Sequence, residues 1–314
     1  MKKILLIIVA IIVLLLSFMI FSKSGQNYLY SVAMDAAEEK AGFVQNTVQI
    51  DDHEIVYLDR ASTKADAQVI VLLHGFSSNK HTWLTFSTHI DASFRVIVID
   101  WAAHGESTYK PTGDYSLVAQ SNRLKMVFDK LNIPKAHLVG NSMGGAIAAD
   151  FASRFQGKVS TLTLMNSGGA DDSTSDTEME KGLKEGKLLL LVEKPEDYDR
   201  TAALAMVDPI KIPYPIEQAM IMQSVNRYER FKNVFLQILN DGDEISTDYL
   251  KEISAPTLIL WGEQDKILGV ENAKIFDENI SNTKLIIYKN VGHVPMLEIP
   301  EQSAKDISEF IMQH

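Results

Sequence analysis

The chain has 314 residues, 46% of them hydrophobic, a net charge of −11 and no cysteine. That length supports one large domain, or one domain carrying a sizeable insertion, and the negative charge argues against nucleic acid, whose phosphates call for Lys and Arg. Without cysteine there is no disulfide, thiol nucleophile or thiolate metal site, and with an acidic surface any contact with anionic lipid has to be apolar.

The first element is an apolar run from Ile4 to Phe21, interrupted by Ser17 alone. It has the roughly 17–25 residues that a helix needs to cross a hydrocarbon core. Lys2 and Lys3 precede it, which predicts a single-pass anchor with a cytoplasmic N-terminus and the remaining chain on the extracytoplasmic side. A cleaved secretory signal is the alternative, but its apolar stretch is usually about 7–15 residues, and no small-x-small cleavage site follows Phe21. Residues 1–22 are therefore read as anchor or uncleaved signal, and 23–42 as a linker helix. Within it, Asn27 to Lys40 carries Leu29, Val32, Ala33, Ala36 and Ala37 on one side, and Gly42 supplies the stop.

Two strands, Phe43–Ile50 and Glu54–Leu58, flank Asp51-Asp52 and predict an antiparallel hairpin. Short apolar strands then alternate with helical patterns. The strands are Val69–Leu73, Val96–Ile99, His137–Val139, Leu162–Met165, Thr257–Trp261 and Leu285–Tyr288. The helical patterns span 80–90, 116–131, 144–155 and 301–312. Continuous apolar strands between helices predict an α/β fold with a mostly parallel sheet covered on both faces. Between Met165 and Thr257 lie about ninety residues with no strong strand signal, too long for a structureless loop. They hold helical segments and Pro209, Pro213 and Pro215. We expect a helical cap here, inserted after the sixth strand. The partition is core 43–169, cap or lid 170–250 and core 251–314. Segments 183–192 and 216–225, with Met206, Met220 and Met222, give the cap an apolar character suited to packing on the core or to an acyl chain.

Gly140-Asn141-Ser142-Met143-Gly144 fits G-x-S-x-G between a strand and a helix, the setting of a nucleophile elbow. Gly140 and Gly144 flank a turn too tight for side chains, and Ser142 is the expected nucleophile. His74-Gly75-Phe76 follows another strand, in the loop that supplies the second oxyanion donor. The backbone N–H groups of Phe76 and Met143 are thus the expected oxyanion hole, and His74 is expected to brace the loop. The triad order Ser, acid, His leaves His293 and the terminal His314 as bases. His293, in a loop after the last strand, is the better placed. His53 in a turn, His81 and His89 on a surface helix, and His137 at a strand start have structural readings. Asp265, after the strand Thr257–Trp261, is the expected acid, with Glu263 beside it and Asp171 or Asp172 as the alternative position. Asp100, His104 and Glu106 in Asp100–Ser107 have metal-ligand chemistry. Hydrolysis needs no metal or cofactor once a triad is present, so this loop is read as structural.

These motifs resemble the α/β-hydrolase superfamily from about residue 45 to the end. His74 to Gly169 resembles the membrane-anchored monoacylglycerol lipases and the related lipases of psychrophilic bacteria, which share an anchor, an HGF loop and a G-x-S-M-G-G elbow. The resemblance implies hydrolysis of lipid-like or short acyl esters, with Ser142, Asp265 and His293 as triad and Phe76 and Met143 as oxyanion donors. The Asp100–Ser107 stretch departs from the commoner family form at Ala103 and His104. The alternatives are a short-chain esterase on soluble substrates, a C–C bond hydrolase or peptidase with the same triad, and a catalytically silent membrane-bound protein. The last usually lacks a triad member, whereas all three are present here.

Overall fold

Strand residues point alternately to opposite faces of a sheet, so a strand apolar at every position must be covered on both sides. In the computed structural model, which describes residues 1–51, 53–170, 175–242 and 247–314, the inner strands follow this rule.

From the N-terminus, α1 (Lys2–Phe21) and α2 (Lys23–Lys40) meet at Ser22, whose extended backbone ends the first helix and whose side chain caps the second at Gly25 N. A Cβ on Gly25 would lie 2.5 Å from Met19 Cα, so α2 begins in close contact with the end of α1. This cap starts α2 ahead of the Asn27 expected from periodicity. The expected hairpin forms from β1 (Val44–Ile50) and β2 (His53–Arg60), paired antiparallel from Val44 with Asp59 to Ile50 with His53. After β3 (Val69–Leu73), the helix expected over 80–90 splits into a 3₁₀ turn, Lys80–Trp83, and α3 (Leu84–Ser87). Its start is tied down twice: the Asn79 side chain accepts from His81 N, and Asp100 Oδ1 accepts from Lys80 N.

The chain continues through β4 (Arg95–Ile99), α4 (Leu117–Lys130), β5 (Ala136–Ser142), α5 (Met143–Arg154) and β6 (Val159–Ser167). Four helices, α6 (Glu178–Lys184), α7 (Asp197–Ala205), α8 (Tyr214–Asn226) and α9 (Tyr228–Gly242), then fill the segment before β7 (Thr257–Gly262). It ends with α10 (Asn272–Asn279), β8 (Thr283–Tyr288), α11 (Pro295–Glu298) and α12 (Pro300–Met312). Periodicity did not mark α10 or α11, both of which are short.

The eight strands lie in the order β1-β2-β4-β3-β5-β6-β7-β8. β1–β2 and β2–β4 are antiparallel and the other neighbours parallel. Val71, Leu73, Ile97, Ile99, Ile259 and Trp261 enter one core with residues of α4, α5 and α10. Ile70, Leu72, Val96, Val98, Leu258 and Leu260 enter the other with residues of α3 and α12. β5 sits mid-sheet, and its C-terminal end opens beside those of β3, β6 and β7, where chemistry-bearing loops gather in open α/β sheets.

Candidate active site

The site starts from a backbone that most residues avoid. Ser142 ends β5 with φ 54° and ψ −122°, and α5 begins at the next residue. The turn tolerates no flanking side chain: a Cβ on Gly140 would lie 2.4 Å from Gly144 O, and one on Gly144 would lie 2.4 Å from Leu73 O. Such strain persists where surrounding structure over-determines it. Met143 is the first residue of α5, so its N–H has no partner within the helix and points with the helix N-terminus. On the neighbouring loop, a Cβ on Gly75 would come within 3.0 Å of Ser142 Cβ, so the Gly75-Phe76 backbone runs against the nucleophile.

His293 and Asp265 come together although 28 positions apart: Nδ1 lies 2.7 Å from Asp265 Oδ2, and both residues are buried. With Nδ1–H donating to the carboxylate, Nε2 carries the free lone pair. Asp265 Oδ1 accepts from the backbone N–H groups of Ile267 and Leu268, at 2.8 and 3.0 Å. Its carboxylate is therefore fixed from both oxygens. No hydrogen bond joins Ser142 to His293 among the described residues; the imidazole is held on the side of Asp265. Catalytic hydrogen bonds often tighten only when substrate arrives. Glu263 is exposed and donates its N–H to Tyr288 O. Asp171 and Asp172 lie outside the described residues.

Two asparagines that sequence reasoning did not single out tie the site together. Asn141 Nδ2 donates to Met165 O and His293 O. Asn166, at the end of β6 with φ 45°, donates to Asp265 Oδ2 at 2.7 Å and to Gly292 O at 3.2 Å, while its Oδ1 accepts from Gly262 N. It thus touches the acid, the base loop and the end of β7. Glu298 is a third: its carboxylate accepts from Gly292 N and Val207 N, both at 2.9 Å. Burial raises its pKa against the pull of those N–H groups. The His293 N–H itself donates to Ala205 O at 2.8 Å. A signal existed for Asn141, which lies inside the elbow motif; Asn166 and Glu298 reach the site only through tertiary contacts.

His74 braces the loop that follows β3. Its Nδ1–H donates to Gly75 O at 2.7 Å, its Nε2 accepts from Trp101 N, and Trp101 Nε1 donates to His74 O. Burial holds its pKa below the usual histidine value. The loop Asp100–Ser107 is closed on itself. Asp100 accepts from Lys80 N and Glu106 N, and the buried Lys80 ammonium lies 3.5 Å from Asp100 and 2.8 Å from Glu106. Burial pushes the Asp100 carboxyl up, but Lys80, His74 and those N–H groups outweigh it and hold it low. A Cβ at Gly105 (φ 49°) would sit inside the Asp100 carboxylate. His104 donates to Ala102 O and packs its ring against His74, Phe76 and Phe231 of α9. Burial, with His74 beside it, lowers its pKa to about 3.

The remaining histidines differ in part from their expected settings. His53 starts β2 and is buried rather than in a turn. His81 is partly buried and pairs with Glu38 of α2 at 2.8 Å. His89 is exposed, His137 bonds Thr161, and His314 packs on Phe310 at the chain end.

Residues 68–205 match the family model described as the alpha/beta hydrolase fold. The chain is 30% identical to the monoacylglycerol lipase ABHD6 of Mus musculus, over 77% of this chain and 75% of that protein. It is 27% identical to Lipase 3 of Moraxella sp. (strain TA144), over 77% and 76%. Among solved structures, a membrane phospholipase A described as a bacterial virulence factor superposes with a TM-score of 0.88 at 28% identity, covering 100% of this chain and 99% of that one.

Proposed function

The chain belongs to the α/β-hydrolase family and is a hydrolase acting on esters; we propose that it is a serine carboxylester hydrolase for lipid-like esters, monoacylglycerol or similar, working through Ser142, His293 and Asp265. The observation that carries this reading is the buried His293–Asp265 pair, 2.7 Å apart, in the same site as a serine held in a strained strand-to-helix turn.

In the first half-reaction His293 Nε2 takes the Ser142 hydroxyl proton as Oγ attacks the ester carbonyl. Asp265 holds the ring through Nδ1–H and stabilises the imidazolium. The carbonyl oxygen becomes an oxyanion facing the Phe76 and Met143 N–H groups; losing one such donor costs about 10²–10³ in rate. The tetrahedral intermediate collapses, the alkoxide leaves with the proton from His293, and an acyl-Ser142 ester remains. Water, deprotonated by the same Nε2, then releases the acid and restores Ser142.

The lipid preference is supported by the family relatives, which include a monoacylglycerol lipase and a bacterial lipase. It is supported further by α1, which has a mean hydropathy of 3.5 and no buried residue. We read α1 as a single-pass anchor, with Lys2 and Lys3 on the cytoplasmic side and the hydrolase on the other. Helices α6–α9 are read as the cap: Phe231 and Phe235 of α9 lie over the Phe76 ring, with centroids 5.6 and 5.0 Å away.

The test is labelling by a fluorophosphonate probe, followed by an ester series of rising acyl-chain length. Ser142→Ala should lose labelling and fall by several orders of magnitude in turnover at unchanged melting temperature. Labelling that survives overturns the nucleophile. A rate that peaks at acetate and falls with chain length overturns the lipid preference.

A further inference from the structure

We propose that the strap leading from α7 into the first residue of α8, residues 207–214, together with Phe21 is a bilayer-contacting surface, through which lipid reaches His293 from the leaflet instead of from water. The proposal rests on the reading of α1 as a membrane anchor.

Three observations carry it. First, the strap carries unburied apolar side chains around one exposed carboxylate, Asp208, and one exposed ammonium, Lys211. Val207, Ile210 and Tyr214 are 40%, 49% and 49% exposed within a stretch of eight residues. Exposed large hydrophobics elsewhere beyond α1 and α2, such as Val44, Val118, Ile287 and Met312, are scattered singly, which is ordinary for a soluble surface. Second, the strap is seated at the foot of the anchor. Phe21, the last residue of α1, meets the Tyr214 ring with centroids 6.1 Å apart. A residue that touches the end of a spanning helix lies at the depth where that helix leaves the hydrocarbon, the level at which amphipathic aromatic rings collect. Third, the other end of the strap is the active site. Ala205 O accepts from His293 N, and Val207 N donates to Glu298, whose other oxygen holds Gly292 N. The strap therefore runs from the base loop to the membrane interface without a break.

Its chemistry suits this place. Pro209 and Pro213 restrict the backbone, so little order is lost when the apolar side chains enter the leaflet. Lys211, exposed between Ile210 and Tyr214, can lay its stem on apolar surface with its ammonium at headgroup level. With a net charge of −11, the protein gains nothing from anionic headgroups. The contact has to be apolar, which commits the occupant to the acyl-chain boundary of a leaflet.

The native tryptophans, Trp83, Trp101 and Trp261, are all buried out of reach of a lipid-borne quencher, so quenching beyond that of the unsubstituted chain reports on an added indole. The experiment places Ile210→Trp in the full-length chain, in vesicles of phosphatidylcholine brominated near the carbonyl end of the acyl chains. The expected result is quenching of most of the added emission, stronger than with lipid brominated near the methyl end. In parallel, Ile210→Asp/Tyr214→Asp should lower hydrolysis of vesicle-borne monoacylglycerol at least fivefold and leave hydrolysis of a soluble butyrate ester within twofold. Protein that floats with vesicles while the added indole stays unquenched overturns the strap contact and leaves the anchor standing. A blue shift that grows with protein concentration and ignores brominated lipid assigns the face to a second copy instead. Protein that does not float with vesicles overturns both readings.

Discussion

Removing the Asn166 side chain should disable the site without touching substrate. Asn166 Nδ2 is 2.7 Å from Asp265 Oδ2, the same oxygen that receives His293 Nδ1–H at 2.7 Å. The same amide reaches Gly292 O, next to His293, at 3.2 Å. In Asn166→Ala the carboxylate keeps its two N–H donors from Ile267 and Leu268 on Oδ1, but Oδ2 is held by the imidazole alone. A hydrogen bond to a charged group contributes about 1.5–3 kcal/mol. If that share of the orientation of Asp265 and the base loop is lost in the transition state, kcat should fall by about 10- to 10²-fold, since about 1.4 kcal/mol is tenfold. KM for a soluble butyrate ester should stay within about twofold, because the Asn166 side chain is fully buried and its bonds go to Asp265, Gly292 and Gly262. The assay is steady-state kinetics, with the rate of fluorophosphonate labelling as a reading of the chemical step alone. The melting temperature should also drop, because Gly292 O and Gly262 N lose a buried partner. A variant that loses stability yet keeps kcat and its labelling rate would refute the reasoning and leave Asn166 a packing residue.

The other predictions follow from burial and packing. His104 and His137 are buried, and burial lowers their pKa values to about 3 and about 4, with His74 and Lys135 respectively adding to it. Each is held neutral when folded and takes a proton near pH 6.5 when unfolded. The stability they support is therefore full above about pH 6.5 and declines as pH falls, by about 1.4 kcal/mol per pH unit per histidine. Urea unfolding followed by tryptophan fluorescence should show a loss of roughly 3 kcal/mol between pH 6.5 and 5 from the pair, and His137→Gln should shallow that slope; a flat profile would refute it. A chain beginning at Gln26 should keep activity on a soluble butyrate ester. One beginning at Gly42 should melt several degrees lower, because it loses the Glu38–His81 bond and the packing of α2 on α8; equal melting temperatures would make α2 a mere linker.

Strand identity was legible because burial on two faces writes itself as unbroken apolar runs. Val69–Leu73 reads VIVLL and is buried at every position. The ends were less legible. β5 runs on to Ser142 and β6 to Ser167, past their apolar centres, because their last residues are polar and belong to the site. Helix 80–90 was misread for a related reason. Its periodicity is real, but Asp100, from the loop after another strand, captures Lys80 N and tightens the first turn. A distant side chain overrode a local pattern, and no window of sequence contains both partners.

The site divides the same way. The elbow was legible because its constraint is local: Gly140 and Gly144 are dictated by backbone atoms a few residues away or on the adjacent strand. His293 and Asp265 were legible through chain order and their places after strands, and the structure brings their side chains into contact. What stayed hidden is the scaffolding that makes the pair a pair. An asparagine at the end of β6 has no signature, since nothing in the residues around Asn166 announces a carboxylate from β7's loop. Glu298 looks like a helix-end acid until Val207, on a strap that shares no local pattern with it, is found donating to it. α2 reads as a linker because its apolar side is weak. Its attachment runs also through polar contacts, Glu38 to His81 and Tyr30 to the other nitrogen of that ring at 3.2 Å. His81 lies in the turn that Lys80 fastens to Asp100, and Asp100 opens the loop that meets His74 through Trp101. Helix α2 is thus built into the wall behind the His74–Phe76 loop, an arrangement that hydrophobic periodicity alone could not disclose.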